Sequence, residues 1–536
     1  MIKRILTKQT NTITGAAFVL SGAALVSRII GLLRDKIFAH QFGAGEVLDA
    51  YYAAFRVPDL MYNLLVVGAL SAGFIPIFRK HYDTKKEQAW KFLGSVLPLL
   101  GIALIVCSSL LIFFADSIIP YIVPGFTSET QALTITMARI MFISPIILGV
   151  SSVISGALQA LKSFIIYSLT PIVYNLGIIL GAIIFVPNIG PLGLAWGVLL
   201  GAVLHLLVQI PTLFRHGFKA RFSLSFSKDI RKLIKLMLPR VISLGASQIT
   251  LTALVFYASS VSVGAITVFN FANNIQYVPV GMIGISFALA AFPTLCEYTK
   301  KTDTELFVAH LAATTRKILF FIIPLTVILI LLRAQIVRVI YGSGEFGWSA
   351  TIETANTLAF FALSLFAQAL IPLYVRAFFA KENTNKPLVA SVFAMIITVG
   401  YGYYASKSLG IAGIALAFSF GTFVQFIFLW IMLRRELGSL QDYQTAISLQ
   451  KMSVAAIAMT VIIQLLKLPI ANLVDMTRAW GILTQGCVTG MFGLIIYGGV
   501  CSLLRVKEID ELVAGLKKRF LHFTHVEGQI SEADKV

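Results

Sequence analysis

The chain has 536 residues, of which 58% are hydrophobic and only 12% are charged. With a mean hydropathy of +0.87, most of its surface has to face an apolar environment, which excludes a soluble enzyme or a soluble binding module. The formal net charge of +19 would suit a nucleic-acid-binding protein, so the placement of the basic residues decides what that charge means.

Apolar runs of about 20 residues, each long enough to cross a hydrocarbon core of about 30 Å, recur along nearly the whole chain. The first follows a short basic leader without a small-residue cleavage site, so we interpret it as a span and not as a signal peptide. The sequence predicts an all-α polytopic membrane protein with fourteen spans, at residues 14–39, 48–78, 92–115, 131–160, 164–186, 191–214, 236–259, 264–295, 308–332, 350–379, 387–406, 411–433, 452–471 and 479–503.

The basic residues are concentrated in alternate segments. If the N-terminus is cytoplasmic, 32 of the 43 Lys and Arg residues lie in the predicted cytoplasmic segments or at the span ends beside them, five lie in or beside the external loops and six lie deeper within the spans. This is the positive-inside distribution of a membrane protein, and it supports an even number of spans. The charge therefore indicates a topology with both termini in the cytoplasm, and it predicts no nucleic-acid partner.

The sequence contains no pattern for catalysis, metal binding or ATP hydrolysis. The four cysteines lie far apart in or beside apolar spans, and the seven histidines form no metal-binding motif. No P-loop or nucleophile elbow is present. We therefore predict neither an enzyme nor a bound metal or cofactor, and we interpret His205, alone in its span, as a packing or helix-pairing residue.

An internal repeat recurs at an offset of 220 residues. The matching positions include Gly193 with Gly413, Gly201 with Gly421, His205 with Gln425 and Arg215 with Arg435. The repeat predicts two six-helix lobes related by a pseudo-twofold axis along the membrane normal, with a substrate site between them. The predicted divisions are an N-lobe (1–225, spans 1–6), a C-lobe (226–440, spans 7–12), spans 13 and 14 (441–504) and a cytoplasmic tail (505–536) with a short amphipathic helix at 506–520.

Ionisable residues lie inside the first two spans. In span 2, Asp49, Arg56 and Asn63 are seven residues apart, which places them on one helix face as a polar stripe about 21 Å long. In span 1, Arg28 and Asp35 are also seven apart, while Arg34 points about 120° away. A charge near the bilayer centre costs about 2.5–3.5 kcal/mol and usually faces a water-filled cavity, which indicates transport.

Two interpretations of these charges remain open. Arginine forks suit a bidentate anionic partner such as a diphosphate better than lysines do, which favours a substrate pocket. The alternative is a pair of internal salt bridges, Arg28 with Asp35 and Arg56 with Asp59, that only hold helices together.

The stretch Ser27-Arg-Ile-Ile-Gly-Leu-Leu-Arg-Asp35 begins a set of motifs that resembles one known family. It continues with Phe42-Gly-Ala-Gly45, Asp49-Ala, Phe55-Arg-Val-Pro58, Gly68-Ala-Leu-Ser71, Ile340-Tyr-Gly-Ser-Gly-Glu-Phe346 and Arg376-Ala-Phe-Phe-Ala380 with Thr384 and Pro387. This set is similar to the signature of the MurJ (MviN) family, the lipid II flippases of the multidrug/oligosaccharidyl-lipid/polysaccharide exporter superfamily, over the chain to about residue 435.

The resemblance implies a function and a site. By similarity, Ser27, Arg28, Arg34, Asp35 and Asp49 line the cavity and are needed for function, and Arg56 stands where the family has a basic residue. The implied partners are lipid II and membrane lipids, and the implied protein is a monomer in the bacterial cytoplasmic (inner) membrane. Spans 13 and 14 would form the groove for the polyprenyl tail.

The chain also departs from the family pattern. Where the family commonly has Arg-Arg and Glu in span 2, this chain has Tyr62-Asn63 and Val67, and Asn273-Asn274 replaces Asp-Arg in span 8. The acids of the family's proposed sodium site correspond to Leu254 and Asn383. A flippase for another lipid-linked oligosaccharide, a drug/cation antiporter of the same superfamily and a membrane scaffold therefore stand as alternatives, although the scaffold leaves the polar stripe unexplained.

Overall fold

The computed structural model describes residues 13–67, 73–219, 222–301 and 303–512, and within these ranges the chain is helical and contains no strand. The first eleven helices are α1 Ile13–Phe42, α2 Glu46–Tyr62, α3 Ile75–Thr84, α4 Lys86–Phe113, α5 Ala115–Ile122, α6 Ser128–Met141, α7 Ser144–Ala160, α8 Phe164–Leu180, α9 Val186–Ile189, α10 Leu192–Leu207 and α11 Ile210–Arg215. The remaining ten are α12 Lys228–Ser259, α13 Ala265–Pro279, α14 Ser286–Lys300, α15 Thr304–Leu331, α16 Arg333–Tyr341, α17 Trp348–Leu363, α18 Leu365–Ala380, α19 Asn385–Leu437, α20 Asp442–Leu473 and α21 Ala479–Leu503.

The helices support the predicted class of membrane protein. Within the described ranges, nine helical segments are long and apolar enough to cross a membrane, or ten if the broken pair α17–α18 is one span. A π-helical turn at Asn63–Val67 follows α2, and π-helical turns at Gly181–Phe185 and Val280–Ile285 join α8 to α9 and α13 to α14. The prediction of an all-α polytopic membrane protein is confirmed, and the number of fourteen spans stays a prediction.

The chain divides into two compact units. Unit 1 comprises Met1–Ile275, Ile340–Phe360 and Pro387–Val424, and unit 2 comprises Gln276–Val339, Phe361–Lys386 and Gln425–Val536. The predicted N-lobe, C-lobe and spans 13–14 are a different division, based on the repeat, and that division stays a prediction.

Close helix packing inside unit 1 follows the 220-residue repeat. A Cβ atom on Gly201 would lie 2.5 Å from the carbonyl oxygen of Tyr174, and one on Gly421 would lie 3.1 Å from the carbonyl oxygen of Ala394. Tyr174 and Ala394 are themselves 220 positions apart. Because glycine has no side chain, it lets two helix backbones approach closely, so the repeat preserves the contact as well as the residue type.

A glycine also bends the long helix α19. Gly410 has φ +60° and ψ −137°, a conformation that residues with a Cβ rarely adopt. The bend falls between predicted spans 11 and 12. The sequence predicted a short external loop there, whereas the structure has a bend at one residue.

Part of the predicted tail helix is described. A helix runs over 507–512, and Glu508 is bound to Arg316 of α15 with 3.1 Å between Nε and Oε1. The remainder of the predicted amphipathic helix, the rest of the tail to residue 536, the basic leader with Lys3, Arg4 and Lys8, and the Gly68–Ser71 motif lie outside the described residues.

Candidate functional site: a polar cavity and two buried carboxylates

Ser27 and Arg28 line a cavity of about 560 Å³ within unit 1. The polar residues of its wall are Ser27, Arg28, Tyr62, Ser152, Ser155, Gln159, Tyr167, Ser168, Thr170 and His205. Among the described residues of this wall, Arg28 is the one arginine, and there is no aspartate, glutamate or lysine. The cavity therefore offers one guanidinium surrounded by neutral hydroxyl, amide and imidazole groups, which suits a ligand with a small anionic part and a larger polar part.

Asp35 is paired with its chain neighbour. Arg34 donates to Asp35 Oδ1 from Nε at 3.0 Å and from Nη2 at 2.7 Å, and its Nη1 donates to Asn175 Oδ1 at 3.1 Å. The other carboxylate oxygen of Asp35 accepts a hydrogen bond from Asn274 Nδ2 at 2.7 Å. The Asp35 side chain is only 1% exposed, so both of its oxygens are satisfied away from water.

This arrangement corrects the ion pair considered from the sequence. The seven-residue spacing suggested Arg28 as the partner of Asp35, whereas the salt bridge in the structure joins Asp35 to Arg34. Helix geometry predicts the direction in which a Cβ atom points, but the long arginine side chain reaches a group on the adjacent face. The two arginines of span 1 therefore differ in role, because Arg28 lines the cavity and Arg34 holds Asp35.

Asp49 caps the N-terminus of α13. Its carboxylate accepts hydrogen bonds from Gly264 N at 2.7 Å, from Thr267 N at 2.8 Å and from Thr267 Oγ1 at 2.7 Å. The first amides of a helix have no partner within it and attract negative charge, so a carboxylate is favoured there. Gly264 has φ +85°, and a Cβ atom on it would collide with the Ala44 carbonyl. The hydrogen bonds of Asp49 join α2 to the start of α13.

Two motifs of the predicted family signature meet in unit 1. Glu345 N donates to the carbonyl oxygen of His40 at 3.1 Å, and a Cβ atom on Gly43 would lie 2.6 Å from the Glu345 carbonyl oxygen. Gly344, with φ +58°, packs against His40. The turns around Gly43 and Gly344 are therefore glycine-rich because their backbones touch.

Aromatic rings pack beside these turns. Phe271 stacks on Tyr341 with 4.3 Å between ring centroids, and Phe346 and Tyr52 each contact Phe271 at 5.8 and 6.1 Å. Tyr341 is fully buried, and its hydroxyl donates to the Phe271 carbonyl oxygen at 3.3 Å. Together with the Asp49 cap, this aromatic cluster closes the space between α2, α13 and the turn after α16.

Arg56 is not among the described residues that line the cavity. Its Nε is buried and has no hydrogen-bond partner among the described residues, and the opposite charge that acts on it is Asp59. Asp59 accepts hydrogen bonds from Asn63 Nδ2 at 2.9 Å and from Gln248. The stripe predicted along span 2 is thus divided, since Asp49 caps a helix while Asp59 and Asn63 form a separate polar group.

Sequence reasoning missed the neutral residues of the cavity. The Tyr62 hydroxyl lies 2.7 Å from Ser152 Oγ, and His205 Nδ1 lies 2.6 Å from Ser151 Oγ. His205 is a helix-pairing residue, as interpreted, and it also lines the cavity. The available signal was the cluster of serines in an otherwise apolar α7, because polar residues within spans usually face a partner helix or a water-filled cavity.

The described residues contain no group of three or more His, Cys, Asp or Glu side chains that could hold a metal ion. Leu254, at a family position for sodium, is fully buried. Asn383, at another, accepts a hydrogen bond from the amide of Lys386 at 3.3 Å. Neither position supplies a carboxylate.

A family model described as "Lipid II flippase MurJ" matches residues 38–482 of this chain. The chain belongs to the MurJ family. A "Lipid II flippase MurJ" from Burkholderia cenocepacia is 27% identical over 431 residues, which are 78% of this chain and 84% of that relative. The family consists of transporters and not enzymes, so both the predicted family and the predicted class are confirmed.

Solved structures share the fold of this chain. The structure "Lipid II flippase MurJ, inward closed conformation" matches with a TM-score of 0.76 and 24% identity, covering 90% of this chain and 98% of that chain. An inward-facing multidrug resistance MATE family transporter of the MOP superfamily matches with a TM-score of 0.68 and 19% identity, covering 80% and 99%. At these identities the likeness establishes the fold alone.

Proposed function

We propose that this protein moves lipid II, a polyprenyl-diphosphate-linked peptidoglycan precursor, from the cytoplasmic to the outer leaflet of the bacterial inner membrane. The observation that carries the proposal is Arg28 beside Ser27 in a cavity whose remaining wall is neutral and polar. A guanidinium binds phosphate oxygens in a bidentate manner, and the hydroxyl-rich wall suits the sugars and peptide. The MurJ family membership supports the same substrate.

Transport would proceed by alternating access between two predicted lobes. Asp35 on α1 binds Asn274 on α13, and Asp49 on α2 caps the same helix. Both contacts join predicted span 1 or span 2 to predicted span 8, so opening along this line has to break them. Hydrogen bonds of this kind can be broken and remade as rigid groups of helices rock. We therefore assign Asp35 and Asp49 to gating and Arg28 to the diphosphate.

The polyprenyl tail would lie in an apolar groove within unit 2. This groove has a volume of about 640 Å³ and is formed by α15, α18, α20 and the last part of α19. Its apolar wall includes Leu311, Leu319, Phe366, Leu370, Phe426 and Leu449. α20, which contains predicted span 13, lines this groove, whereas α21, which is predicted span 14, is not among its described lining residues. In this proposal the protein acts as a monomer with both termini in the cytoplasm.

A second candidate substrate is another lipid-linked oligosaccharide. Tyr62, at a position where the family commonly has arginine, bonds to Ser152 inside the cavity, and Asn274 bonds to Asp35. Two cations of the family pattern are thus replaced by neutral groups that have structural partners. Expression of the gene in bacteria depleted of their own lipid II flippase decides between the candidates, because only a lipid II flippase restores growth.

Replacing Arg28 with Ala should abolish this rescue while leaving the protein inserted in the membrane. The change removes the cavity guanidinium, and loss of a charge within a span lowers the insertion cost by about 2.5–3.5 kcal/mol. Arg79→Ala is the matched control, because Arg79 forms an ion pair with Asp83 and is 42% exposed. Full growth with Arg28→Ala at normal expression would show that the cavity cation does not bind the substrate.

Transport should depend less on sodium than in relatives that carry both acids. Leu254 and Asn383 offer no carboxylate, and Na⁺, like other hard cations, is held mainly by negatively charged oxygen ligands. Flipping in proteoliposomes should keep most of its rate when choline replaces sodium, with an acid-containing relative assayed in parallel. If replacing sodium lowered the flipping rate of this protein as much as that of the relative, other residues of this protein would hold the ion.

A further inference from the structure

His205 is held in the cavity wall by a buried hydrogen-bond network. Ser151 Oγ lies 2.6 Å from His205 Nδ1, and Gln209 Nε2 lies 2.7 Å from Ser151 Oγ. Ser155 Oγ donates to Gln209 Oε1 at 2.8 Å. Ser151 and Gln209 are both fully buried, so their hydrogens have to be used within the network and not by water.

The orientation of the Gln209 amide determines which atoms donate. Its Nε2 lies 2.8 Å from the carbonyl oxygen of His205, which can only accept. The flipped amide would put two oxygens at that distance with no hydrogen between them. Nε2 therefore uses one hydrogen for the His205 carbonyl and the other for Ser151 Oγ.

The network then assigns the His205 proton. Ser151 accepts from Gln209, so its single hydroxyl hydrogen is directed to the neighbouring Nδ1 of His205. An accepting Nδ1 carries no proton, so the proton of the neutral imidazole is on Nε2. A doubly protonated ring would direct Nδ1–H at Ser151 and leave the hydroxyl hydrogen without an acceptor. Because Nδ1 is bonded to Ser151, a hydrogen bond from this ring to a ligand in the cavity that His205 lines has to come from Nε2–H.

We propose that His205 is a specificity-determining residue whose neutral Nε2–H donates to an oxygen of the sugar–peptide part of the substrate headgroup. This inference rests on the proposed function, and the site predicted from the sequence does not include His205. The diphosphate takes the charged group, Arg28, whereas a neutral donor is matched to hydroxyl and carbonyl oxygens. Tyr62, Gln159 and Tyr167 extend the same neutral wall.

The test compares two probes and two variants of the full-length protein in detergent, by native mass spectrometry titration. His205→Phe removes the donor and keeps a ring, and it should weaken lipid II binding about tenfold, the value of one hydrogen bond in a desolvated site. Binding of undecaprenyl diphosphate, which lacks the sugars and peptide, should not change. His205→Gln places an amide nitrogen near the Nε2 position and should retain most lipid II affinity; the repeat has glutamine at the matching position 425.

Each other outcome overturns a defined part of the assignment. Unchanged lipid II affinity in His205→Phe would show that the ring makes no contact with substrate. An equal loss of affinity for lipid II and for undecaprenyl diphosphate in His205→Phe would mean that His205 contacts the diphosphate. A lipid II affinity of His205→Gln as low as that of His205→Phe would exclude the donor role. Failure of the unmodified protein to bind lipid II, by contrast, would overturn the proposed function itself.

The proton position can be measured without any substrate. ¹⁵N NMR of histidine-labelled protein at pH 7.5 should show a neutral ring protonated on Nε2, assigned by the signal that disappears in His205→Phe. A signal from an Nδ1-protonated or doubly protonated ring would overturn the inference even if the variants were poorly folded.

Discussion

Asp35→Ala is expected to lower the free energy of unfolding by about 3–5 kcal/mol and to abolish transport, because it leaves a guanidinium without its counter-charge. Arg34 donates twice to Asp35 and otherwise has Asn175 as a hydrogen-bond partner. The thermal unfolding midpoint in detergent measures the first effect, and growth of flippase-depleted bacteria measures the second.

A double variant separates the two effects. Arg34→Met combined with Asp35→Leu removes both charges and fills the space with apolar groups, which is often neutral or stabilising for a buried ion pair. We expect the unfolding midpoint to recover and growth to remain lost, since the bond to Asn274 is missing. A midpoint for Asp35→Ala equal to that of the unmodified protein would mean that water solvates Arg34.

Asp49→Ala is expected to open the contact between α2 and α13. The change removes three hydrogen bonds to the start of α13, and one charge-assisted bond is worth about 1.5–3 kcal/mol. The balance between conformations should therefore shift away from the closed arrangement, with loss of growth rescue. Asp49→Asn keeps an accepting oxygen without the charge and should have a smaller effect.

Cysteine labelling from outside the cell measures this opening. Ala44 packs against Gly264, so Ala44→Cys reports on the contact once the native cysteines are replaced, at positions 107, 296, 487 and 501. Modification by a membrane-impermeant maleimide should rise several-fold in Asp49→Ala. Glu46→Gln is the control, because Glu46 lies one turn away and accepts from Thr130. Equal labelling in all three proteins would show that the Asp49 cap does not hold the gate.

The transmembrane class and the family were predictable from local patterns. Hydropathy runs and the alternation of basic loops depend on the membrane as a solvent, which acts on each segment separately. Short motifs such as Ser27–Asp35 and Ile340–Phe346 were recognisable without any knowledge of their contacts. The structure explains the glycines of the Phe42–Gly45 and Ile340–Phe346 motifs, because the turns at Gly43 and Gly344 touch. The 220-residue repeat was likewise visible in the sequence, and the structure shows that its glycines Gly201 and Gly421 allow close helix contacts in α10 and α19.

The partners of the charged residues were not predictable in the same way. Helical spacing places Arg28 and Asp35 on one face, but it does not include side-chain reach, and the structure pairs Asp35 with Arg34. Asp49 and Thr267 are 218 positions apart, and no periodicity within span 2 indicates that a helix N-terminus lies beside it.

The sequence by itself determined that this protein lies in a membrane and that it belongs among the transporters of its family, and it predicted that charges in its first two spans matter. Each of these properties is carried by one segment at a time. Only the tertiary structure decided that Arg28 lines the cavity, that Asp49 caps α13 and that His205 lies beside Ser151 in the cavity wall. Those roles depend on which helices lie side by side, and the hydrogen bond of a buried polar group is set by neighbours that are distant in the chain.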